Sequence, residues 1–317
     1  MGRLIAVVNQ KGGVGKTTTV VNLAAALAEA GRRVLAVDLD PQGSLTVWSG
    51  LEPDELAKTV YHGLVGPRRV RYDESRPVRA ASQGTGAHSS TTLAYLSEDE
   101  DEDVSATDLI LRTSLGYDLV PSNAELGLAE MDLVNMVARE RRLVALMAPV
   151  RDSYDFIFLD CEPSLGLLTI NALVAADEIL IPVSCDFLAW RALEVLFKLV
   201  GRVRLELNSQ LRLIGILPTM FDTRTRHSRE ILELLYGELG RELPVLQPPV
   251  HRSVRFQEAA QTGKSVIQYA PDTPGAAAYR EIAKQLESCR PVRLSSRIWQ
   301  AGRLPRAQSR QGQSVPS

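Results

Sequence analysis

Cysteine and aromatic residues are scarce in this 317-residue sequence, and it has no long apolar run. Its three cysteines, Cys161, Cys185 and Cys289, lie far apart and form no C-x-x-C pair, so we expect free thiols in a reduced, cytoplasmic protein. No stretch approaches the roughly 20 apolar residues of a membrane span, and the first apolar run, of about five residues, is too short for a signal segment. The net charge of −2 gives no global attraction to nucleic acid, so any such surface must be local.

The sequence does contain a regular alternation of short apolar runs and helical patterns. A hydrophobic content of 45% and a charged content of 23% are typical of a soluble globular protein with a large core. The alternation predicts an α/β fold, a doubly wound, mostly parallel sheet with helices on both faces. The predicted strands are 4–8, 33–38, 117–121, 156–160, 178–183 and 213–218, and the predicted helices are 16–29, 55–64, 123–147, 165–176, 188–207, 228–239, 254–261 and 274–287.

A glycine-rich turn joins the first predicted strand to the first predicted helix. Gly12, Gly13 and Gly15 allow the backbone to aim successive N–H groups at phosphate oxygens, and the helix N-terminus adds partial positive charge. Lys16 is then placed for the β/γ-phosphates and Thr17 for Mg²⁺, as in a P-loop. The turn departs from the usual G-x-x-x-x-G-K-[ST] pattern, because Gln10 replaces the first glycine and a second lysine, Lys11, follows it. We predict a nucleotide phosphate site here.

Three carboxylates follow two of the predicted strands. Asp38 and Asp40 come at the end of the second strand, and Asp160 ends the apolar run 156–160 in a Walker B arrangement. Because ligands bind at the carboxyl ends of parallel strands, we expect these groups beside the phosphate loop. Asp160 would serve Mg²⁺, Asp38 would support the metal's surroundings, and Asp40 would orient the attacking water.

Two segments differ in composition from the rest. Residues 67–108 pass from arginines through a Ser/Thr/Gly stretch to six consecutive acids, 98–103, and we predict a solvated, largely disordered insertion. An acidic run that mimics DNA within the molecule is the alternative. Residues 290–317 are rich in Arg, Ser, Gln, Pro and Gly and contain no acid, which predicts a disordered basic tail. The P-loop ATPase domain is therefore assigned to residues 1–289.

Five stretches resemble the ParA/MinD superfamily, and its ParA/Soj chromosome-partition branch in particular. The loop 11–18 resembles the deviant Walker A motif, and 37–43 resembles the second carboxylate motif. Further similar stretches are 160–172, 217–225 and 253–259. The likeness covers about residues 3–66 and 117–287, and it does not extend to the acidic insertion or to the tail.

The resemblance implies an ATP- and Mg²⁺-dependent ATPase that dimerises around two nucleotides, with Lys11 reaching the partner's ATP. Such a dimer binds DNA without sequence preference, and a ParB-like centromere-binding protein stimulates its weak hydrolysis. With the motifs above, the resemblance assigns the catalytic roles to Lys11, Lys16 and Asp40; the cofactor contacts to Lys11, Gly12, Gly13, Val14, Gly15, Lys16, Thr17, Thr18, His251 and Ser253; the metal to Thr17, Asp38 and Asp160; and DNA to Arg224, Arg252 and Arg255.

Two other classes share this fold pattern. A MinD-like membrane-associated regulator needs an amphipathic C-terminal helix, which the arginine-rich tail with its Pro305 does not favour, so we expect no membrane binding. An iron–sulfur carrier needs exposed cysteine ligands at a dimer axis. The sequence also departs from the family at Glu162 and His251, where proline is usual, and at the stretch 184–187. We expect Glu162 to weaken or retune nucleotide binding.

Overall fold

The computed structural model describes residues 2–66, 104–186, 188–289 and 291–292, together with two short strands at 70–71 and 95–96. The strands are β1 (Arg3–Val7), β2 (Val34–Leu39), β3 (Val70–Arg71), β4 (Tyr95–Leu96), β5 (Leu111–Arg112), β6 (Asp118–Val120), β7 (Phe156–Cys161), β8 (Glu178–Ser184) and β9 (Arg212–Thr219). The helices are α1 (Lys16–Glu29), α2 (Ser44–Trp48), α3 (Val60–Val65), α4 (Ala106–Leu109), α5 (Ala129–Leu133), α6 (Arg142–Met147), α7 (Leu167–Ala175), α8 (Ala189–Glu206), α9 (Arg226–Gly237), α10 (Arg255–Gln261), α11 (Val266–Tyr269) and α12 (Pro274–Ser288).

The main sheet has seven strands in the order β5-β6-β2-β7-β1-β8-β9. Every pair is parallel except β5 with β6, which is antiparallel at the edge. The four strands β2, β7, β1 and β8 are apolar and buried almost throughout, because helices cover both faces. The predicted doubly wound, mostly parallel α/β fold is confirmed.

Two hydrophobic cores lie on opposite faces of this sheet. One joins the strands to α3, α5, α6, α7 and α8, and the other joins them to α1, α2, α11 and α12. The side chains of each strand alternate between the two cores: Leu4 and Ala6 of β1 face one, and Ile5 and Val7 face the other. The sheet is thus held rigidly at its centre, where the phosphate loop leaves β1.

The C-terminal helices pack on the helix that follows the phosphate loop. The Tyr279 hydroxyl of α12 lies 3.3 Å from the Thr19 hydroxyl of α1, and the Val266 N–H donates to the Asn22 side chain at 2.7 Å. Arg280 donates two hydrogen bonds to the Glu29 carboxylate at 2.7 and 2.9 Å. These contacts fix the direction of α1, and with it the direction of its N-terminus.

The prediction of one long helix over 123–147 is wrong. A 3₁₀ turn (Ala124–Leu128), α5, a left-handed residue at Ala138 (φ 53°), a second 3₁₀ turn (Arg139–Arg141) and α6 occupy this stretch. Arg139 donates from its side chain to the Val134 carbonyl at 2.7 Å, and Asn171 donates to the Arg139 carbonyl at 2.8 Å. Side-chain donors thus satisfy carbonyls that a continuous helix would have used, and the chain turns there.

The predicted insertion and tail lie mostly outside the described residues. Within the insertion, β3 and β4 pair antiparallel, and the last residues of the range enter α4, whose Ala106 and Leu109 are buried. In the tail, Val292 pairs with Leu213 at the edge of β9. Within the described ranges, no helix combines the length and the apolar character needed to cross a bilayer.

Candidate functional site

The loop between β1 and α1 is held in shape by its neighbours before any ligand binds. Asn9 donates to the Pro182 carbonyl at 2.7 Å and accepts from the Lys11 N–H at 3.0 Å, while Thr219 donates to the Val14 carbonyl at 2.7 Å. β8 and β9 therefore fix the loop from one side. Because the loop is already held in one conformation, it loses little conformational entropy when a ligand binds.

The backbone of this loop leaves the N-terminus of α1 open. Gly13 and Gly15 have φ values of 72° and 86°, in the left-handed region that favours glycine. Gly15 is the N-cap residue, and no side chain caps the helix. The first amide groups of this 14-residue helix are therefore not capped by any side chain, and the positive end of the helix dipole lies behind them, as anion binding requires.

Lys16 and Asp160 form the buried charged centre of the site. Lys16 is only 7% exposed. Burial lowers the pKa of its ammonium group, although the negative charge of Asp160 acts in the opposite direction. Asp160 is 1% exposed, and neither of its carboxylate oxygens has a hydrogen-bond partner of good geometry among the described residues, although the nearby Thr17 side chain acts to lower its pKa. Burial and the nearby charge of Asp38 raise the pKa of Asp160 well above its usual range. An orphaned buried carboxylate of this kind is stabilised by a cation.

These residues fit a Mg²⁺ ion bound together with a nucleotide. No group of three or more His, Cys, Asp or Glu side chains in the described part of the chain is arranged to hold a metal by itself. Mg²⁺ sites of nucleotide enzymes use one or two protein groups, several waters and the substrate's phosphates. Thr17 at the start of α1 and the unpaired Asp160 supply such a donor set.

Asp38 and Asp40 lie at and just after the carboxyl end of β2, as the sequence predicts, but the two residues make different hydrogen bonds. Asp38 stands beside Asp160 in the register of β2 and β7 and is fully buried. It accepts from the Thr46 N–H and hydroxyl at 2.9 and 2.7 Å and from the Asp40 N–H at 3.2 Å. Burial raises the pKa of Asp38 to about 6 despite these bonds. Asp38 therefore organises the turn that carries Asp40.

Asp40 is half-buried at the mouth of this turn. One of its carboxylate oxygens, Oδ1, accepts from the Gln42 N–H at 2.9 Å, and its carbonyl accepts from the Ser122 hydroxyl at 2.9 Å. The negative charge of Asp40 acts on Lys16 and favours the charged form of the lysine, against the lowering of its pKa by burial. This arrangement holds a carboxylate in a defined orientation near the phosphate loop.

The second lysine of the loop, Lys11, is held by its own chain. Its ammonium group binds the Asp186 carboxylate and lies 3.4 Å from the Ser184 hydroxyl. Ser184 and the Leu188 N–H also donate to Asp186. Burial opposes ionisation of Asp186, but the bonds from Lys11 and Ser184 outweigh it and lower its pKa. Ser184 and Asp186 belong to the stretch 184–187 that departs from the family pattern.

A cavity of about 630 Å³ opens beside the loop. Its walls include loop residues, the predicted Ser253, the cluster around Lys11 and several residues that the sequence did not indicate. The lining residues are Lys11, Gly13, Thr18, Trp48, Ser184, Asp186, Met220, Arg224, Arg252, Ser253, Val254, Phe256, Gln257 and Ala260. His251, predicted to contact the cofactor, is not among them, because its ring packs edge-on against Phe221 at 5.0 Å.

The three predicted DNA arginines lie on one side of this cavity. Arg224 and Arg252 line it, and Arg255 begins α10 next to Val254. Arg224 is 85% exposed and donates two bonds to Asp222 at 2.9 and 2.8 Å, which hold the pKa of Asp222 at about 2. Arg255 pairs with Glu258 at 2.8 Å. The three arginines are therefore exposed to solvent, and Arg224 and Arg255 each pair with an acidic side chain.

The fold and this site together define a P-loop nucleotide-binding protein with a second lysine in its loop. A family model described as an AAA domain matches residues 2–213. The sporulation initiation inhibitor protein Soj of Bacillus subtilis is 38% identical over 90% of this chain and 98% of its own length. The chromosome partitioning protein ParA of Myxococcus xanthus is 37% identical over 90% of this chain and 88% of its own. The chain belongs to the ParA/Soj family of the ParA/MinD superfamily, as the motifs indicated.

Solved structures agree with this fold. A Mycobacterium smegmatis protein named cobyrinic acid a,c-diamide synthase, crystallised with ADP and magnesium, is 36% identical, with a TM-score of 0.70 over 96% of this chain and 98% of that one. The cell division ATPase MinD of Pyrococcus furiosus has a TM-score of 0.62 over 91% of this chain and 99% of that one at 22% identity, which supports the fold alone.

Proposed function

We propose that this protein is a ParA-type ATPase. ATP joins two copies into a dimer that binds DNA without sequence preference, and a ParB-like centromere-binding partner stimulates hydrolysis, which moves chromosome or plasmid DNA. The observation that carries the proposal is the pair of lysines, Lys11 and Lys16, on a preformed phosphate loop beside the unpaired carboxylate of Asp160. We expect the protein in the cytoplasm, associated with the nucleoid.

ATP and Mg²⁺ are the proposed cofactors. The amide groups of residues 12–18 and the Lys16 ammonium bind the phosphates, while the cavity beside Ser253 receives the rest of the nucleotide. Thr17 and Asp160 hold the metal, which supplies charge neutralisation when it is bound. Asp38 fixes the turn by its bonds to Thr46 and Asp40, and Asp40 orients the attacking water.

Lys11 is the residue proposed to join the two copies. A lysine from one copy that reaches the nucleotide of the other offsets the repulsion of two triphosphates across a two-fold axis. In the single chain its ammonium is occupied by Asp186. The pair is partly exposed, with side-chain exposures of 29% and 41%, and pairs of this kind contribute at most about 1 kcal/mol. Dimerisation therefore has to overcome only a weak contact.

Lys11→Ala should prevent ATP-dependent dimerisation while ATP still binds the single chain. Light scattering with ATP and Mg²⁺ gives the mass, and calorimetry gives the affinity. We expect the dimer dissociation constant to rise by a factor on the order of 100, because a buried charge contact is lost. Asp186→Asn is the matched control, since it keeps Lys11 and should leave the dimer intact. A Lys11→Ala variant that dimerises like the parent would contradict this role.

Arg224→Ala combined with Arg255→Ala should weaken DNA binding, and the affinity for ATP is measured alongside because Arg224 also lines the cavity beside the loop. Each arginine that contacts a phosphate contributes to a salt-dependent affinity, so we expect a loss of about tenfold or more and a shallower dependence on salt. Binding to a random-sequence duplex over a salt series measures both. Arg226→Ala is the control, because Arg226 is 88% exposed nearby and pairs with Glu230. Equal DNA retention would remove both arginines from the proposed surface.

The decisive experiment for the whole proposal is ATP turnover with and without DNA and a candidate centromere-binding protein, with the mass measured alongside. We expect slow turnover alone, a dimer with ATP, and faster turnover only when DNA and partner are both present. ATP-dependent pelleting with anionic liposomes, without DNA binding, would instead support a MinD-like regulator. A chain that stays single with ATP would contradict the proposal.

A further inference from the structure

Four exposed apolar side chains follow one another along the segment between β6 and α6. Leu128, Met131, Val134 and Val137 are 44%, 65%, 52% and 92% exposed. The backbone from Leu128 to Val134 is helical, and residues three apart are neighbours on a helix surface. The first three side chains therefore share a side, and Val137 extends it. We call these four residues the apolar ridge, because exposed apolar side chains that are grouped in this way mark an interaction surface.

The segment that carries the apolar ridge is fixed to the core from its other side. Leu126, Ala129 and Leu133 are fully buried beneath it. Near its end, the Arg139 side chain donates to the Val134 carbonyl at 2.7 Å. The apolar ridge is thus presented on a backbone that is already held in place, so the binding of a partner orders little of this chain.

The same segment supports the turn that carries Asp40. At its beginning, the Ser122 hydroxyl donates to the Asp40 carbonyl at 2.9 Å. Gly127 packs on the residue that follows Asp40, since a Cβ placed on Gly127 would lie 3.8 Å from the Pro41 Cβ. A partner on the apolar ridge would therefore bind a segment that contacts this turn directly, and no ridge residue lines the cavity beside the phosphate loop.

The charged residues of the segment are acidic. In the sequence, no lysine or arginine lies between β5 and Arg139, whereas Glu125, Glu130 and Asp132 lie next to the ridge residues. Arg139 is engaged by Glu140, to which it donates at 2.9 Å. The apolar ridge is therefore bordered by negative charge, and charge complementarity favours a partner with positive charge beside its apolar surface.

This charge distinguishes between the possible occupants of the apolar ridge. DNA and an anionic membrane would be repelled, and a second copy that met ridge with ridge would place the same acids opposite each other across a two-fold axis. The described residue before the chain's own basic tail, Val292, pairs with Leu213 at the edge of β9, at the opposite end of the sheet from β6. The occupant that fits is a helix of another protein, apolar on one face and basic beside it.

We propose that the apolar ridge is a docking surface for an amphipathic helix of a partner protein, whose apolar face is flanked by lysine or arginine. Docking there places the partner against the segment that supports the Asp40 turn and outside the nucleotide cavity. The inference goes beyond the proposed ATPase function, because this docking requires neither nucleotide nor DNA.

The test measures fluorescence anisotropy of two labelled helical peptides with the full chain, without nucleotide. One peptide, of about 18 residues, has leucine on one face and lysine beside it, and the other has glutamate in place of lysine. We expect the lysine peptide to bind about tenfold more tightly or better. Met131→Ser combined with Val137→Ser should weaken its binding by about tenfold, because apolar contact is lost. Glu125→Gln should weaken it by about two- to threefold at low salt.

Two control variants remove the same kinds of side chain from other surfaces. Leu205→Ser removes an exposed apolar side chain from α8, and Glu233→Gln removes an exposed acid from α9, so neither should change the binding. Equal binding by the ridge variant and the parent, or equal binding of the two peptides, would overturn the inference. Thermal unfolding of the ridge variant shows that its fold is kept, since both substituted side chains are exposed.

Two other results would assign the apolar ridge to a different occupant and would also overturn the inference. One is a doubled mass in light scattering without nucleotide that the ridge variant loses, which would indicate a second copy. The other is ridge-dependent binding of a synthetic peptide of residues 293–317 as tight as that of the lysine peptide, which would indicate the chain's own tail. Because no nucleotide is present, each of these failures is distinct from a failure of the proposed ATPase function.

Discussion

Lys16→Ala should abolish ATP binding. The ammonium of Lys16 is the buried cation of the loop, and it faces Asp160, Asp40 and Glu162. Its removal would leave these carboxylates and the triphosphate without a protein countercharge. Truncating one partner of a buried charge contact costs about 2–5 kcal/mol of binding free energy, so we expect the affinity to fall by a factor on the order of 100 or more. Calorimetry with a non-hydrolysable analogue and Mg²⁺ measures this directly.

Two controls make this result specific. Lys198→Ala removes an exposed lysine of α8 and should bind the analogue like the parent. Thermal unfolding of Lys16→Ala without nucleotide shows whether the fold is kept, because the loop's own bonds from Asn9 and Thr219 do not involve the lysine side chain. A folded Lys16→Ala protein with parental affinity would place the phosphates somewhere other than this loop.

Asp40→Ala should stop hydrolysis and preserve ATP binding. The turn that carries Asp40 is anchored by Asp38 and Ser122, so the loss of the side chain removes the water-orienting carboxylate and leaves the backbone in place. Positioned acid–base groups contribute about 10²- to 10⁴-fold, so we expect turnover to fall by a factor on the order of 100. The ATP-bound dimer should then persist on DNA. Phosphate release and retention on immobilised DNA measure the two effects.

Asp54→Ala is the matched control for Asp40. Asp54 is an exposed acid in the short turn Pro53–Glu55 that follows α2, and its removal should leave turnover unchanged. Parental hydrolysis by Asp40→Ala would show that another group orients the water. A simultaneous loss of ATP binding would show instead that Asp40 acts on the nucleotide's ground state.

The sequence predicted best the parts of the fold that local rules determine. The helix 16–29 is predicted to the residue, because a left-handed glycine precedes it and Gly31 follows it. The buried strands β7, β8 and β9 are right within two residues, since an apolar run bounded by turn residues has few alternatives. The stretch 123–147 fails because its turn at Ala138 depends on Asn171, which comes from α7. Periodicity contains no information about such a distant donor.

The residues of the candidate site likewise fall into two groups: those that local sequence patterns indicate, and those that only the folded chain brings together. The sequence predicted that the loop and the three aspartates lie at the carboxyl ends of β1, β2 and β7, because each of them ends or directly follows a recognisable apolar run. The partner of Lys11 was not found, because Asp186 is 175 residues away and the contact exists only in the folded sheet, where β1 and β8 are neighbours. Trp48, Met220 and Phe256 were also missed, since each is an ordinary core residue by its sequence context. The assignment of His251 followed the family pattern and did not foresee its packing on Phe221.

The contacts between the C-terminal helices and α1 have a consequence for how the protein is made. The phosphate loop is synthesised long before the residues that contact the helix behind it, because Val266 and Tyr279 follow their partners Asn22 and Thr19 by 244 and 260 residues. A nascent chain therefore carries the complete loop sequence long before the helix behind the loop has its C-terminal contacts. We therefore expect full support of this helix, and with it a well-formed phosphate site, only in molecules whose translation has passed α12.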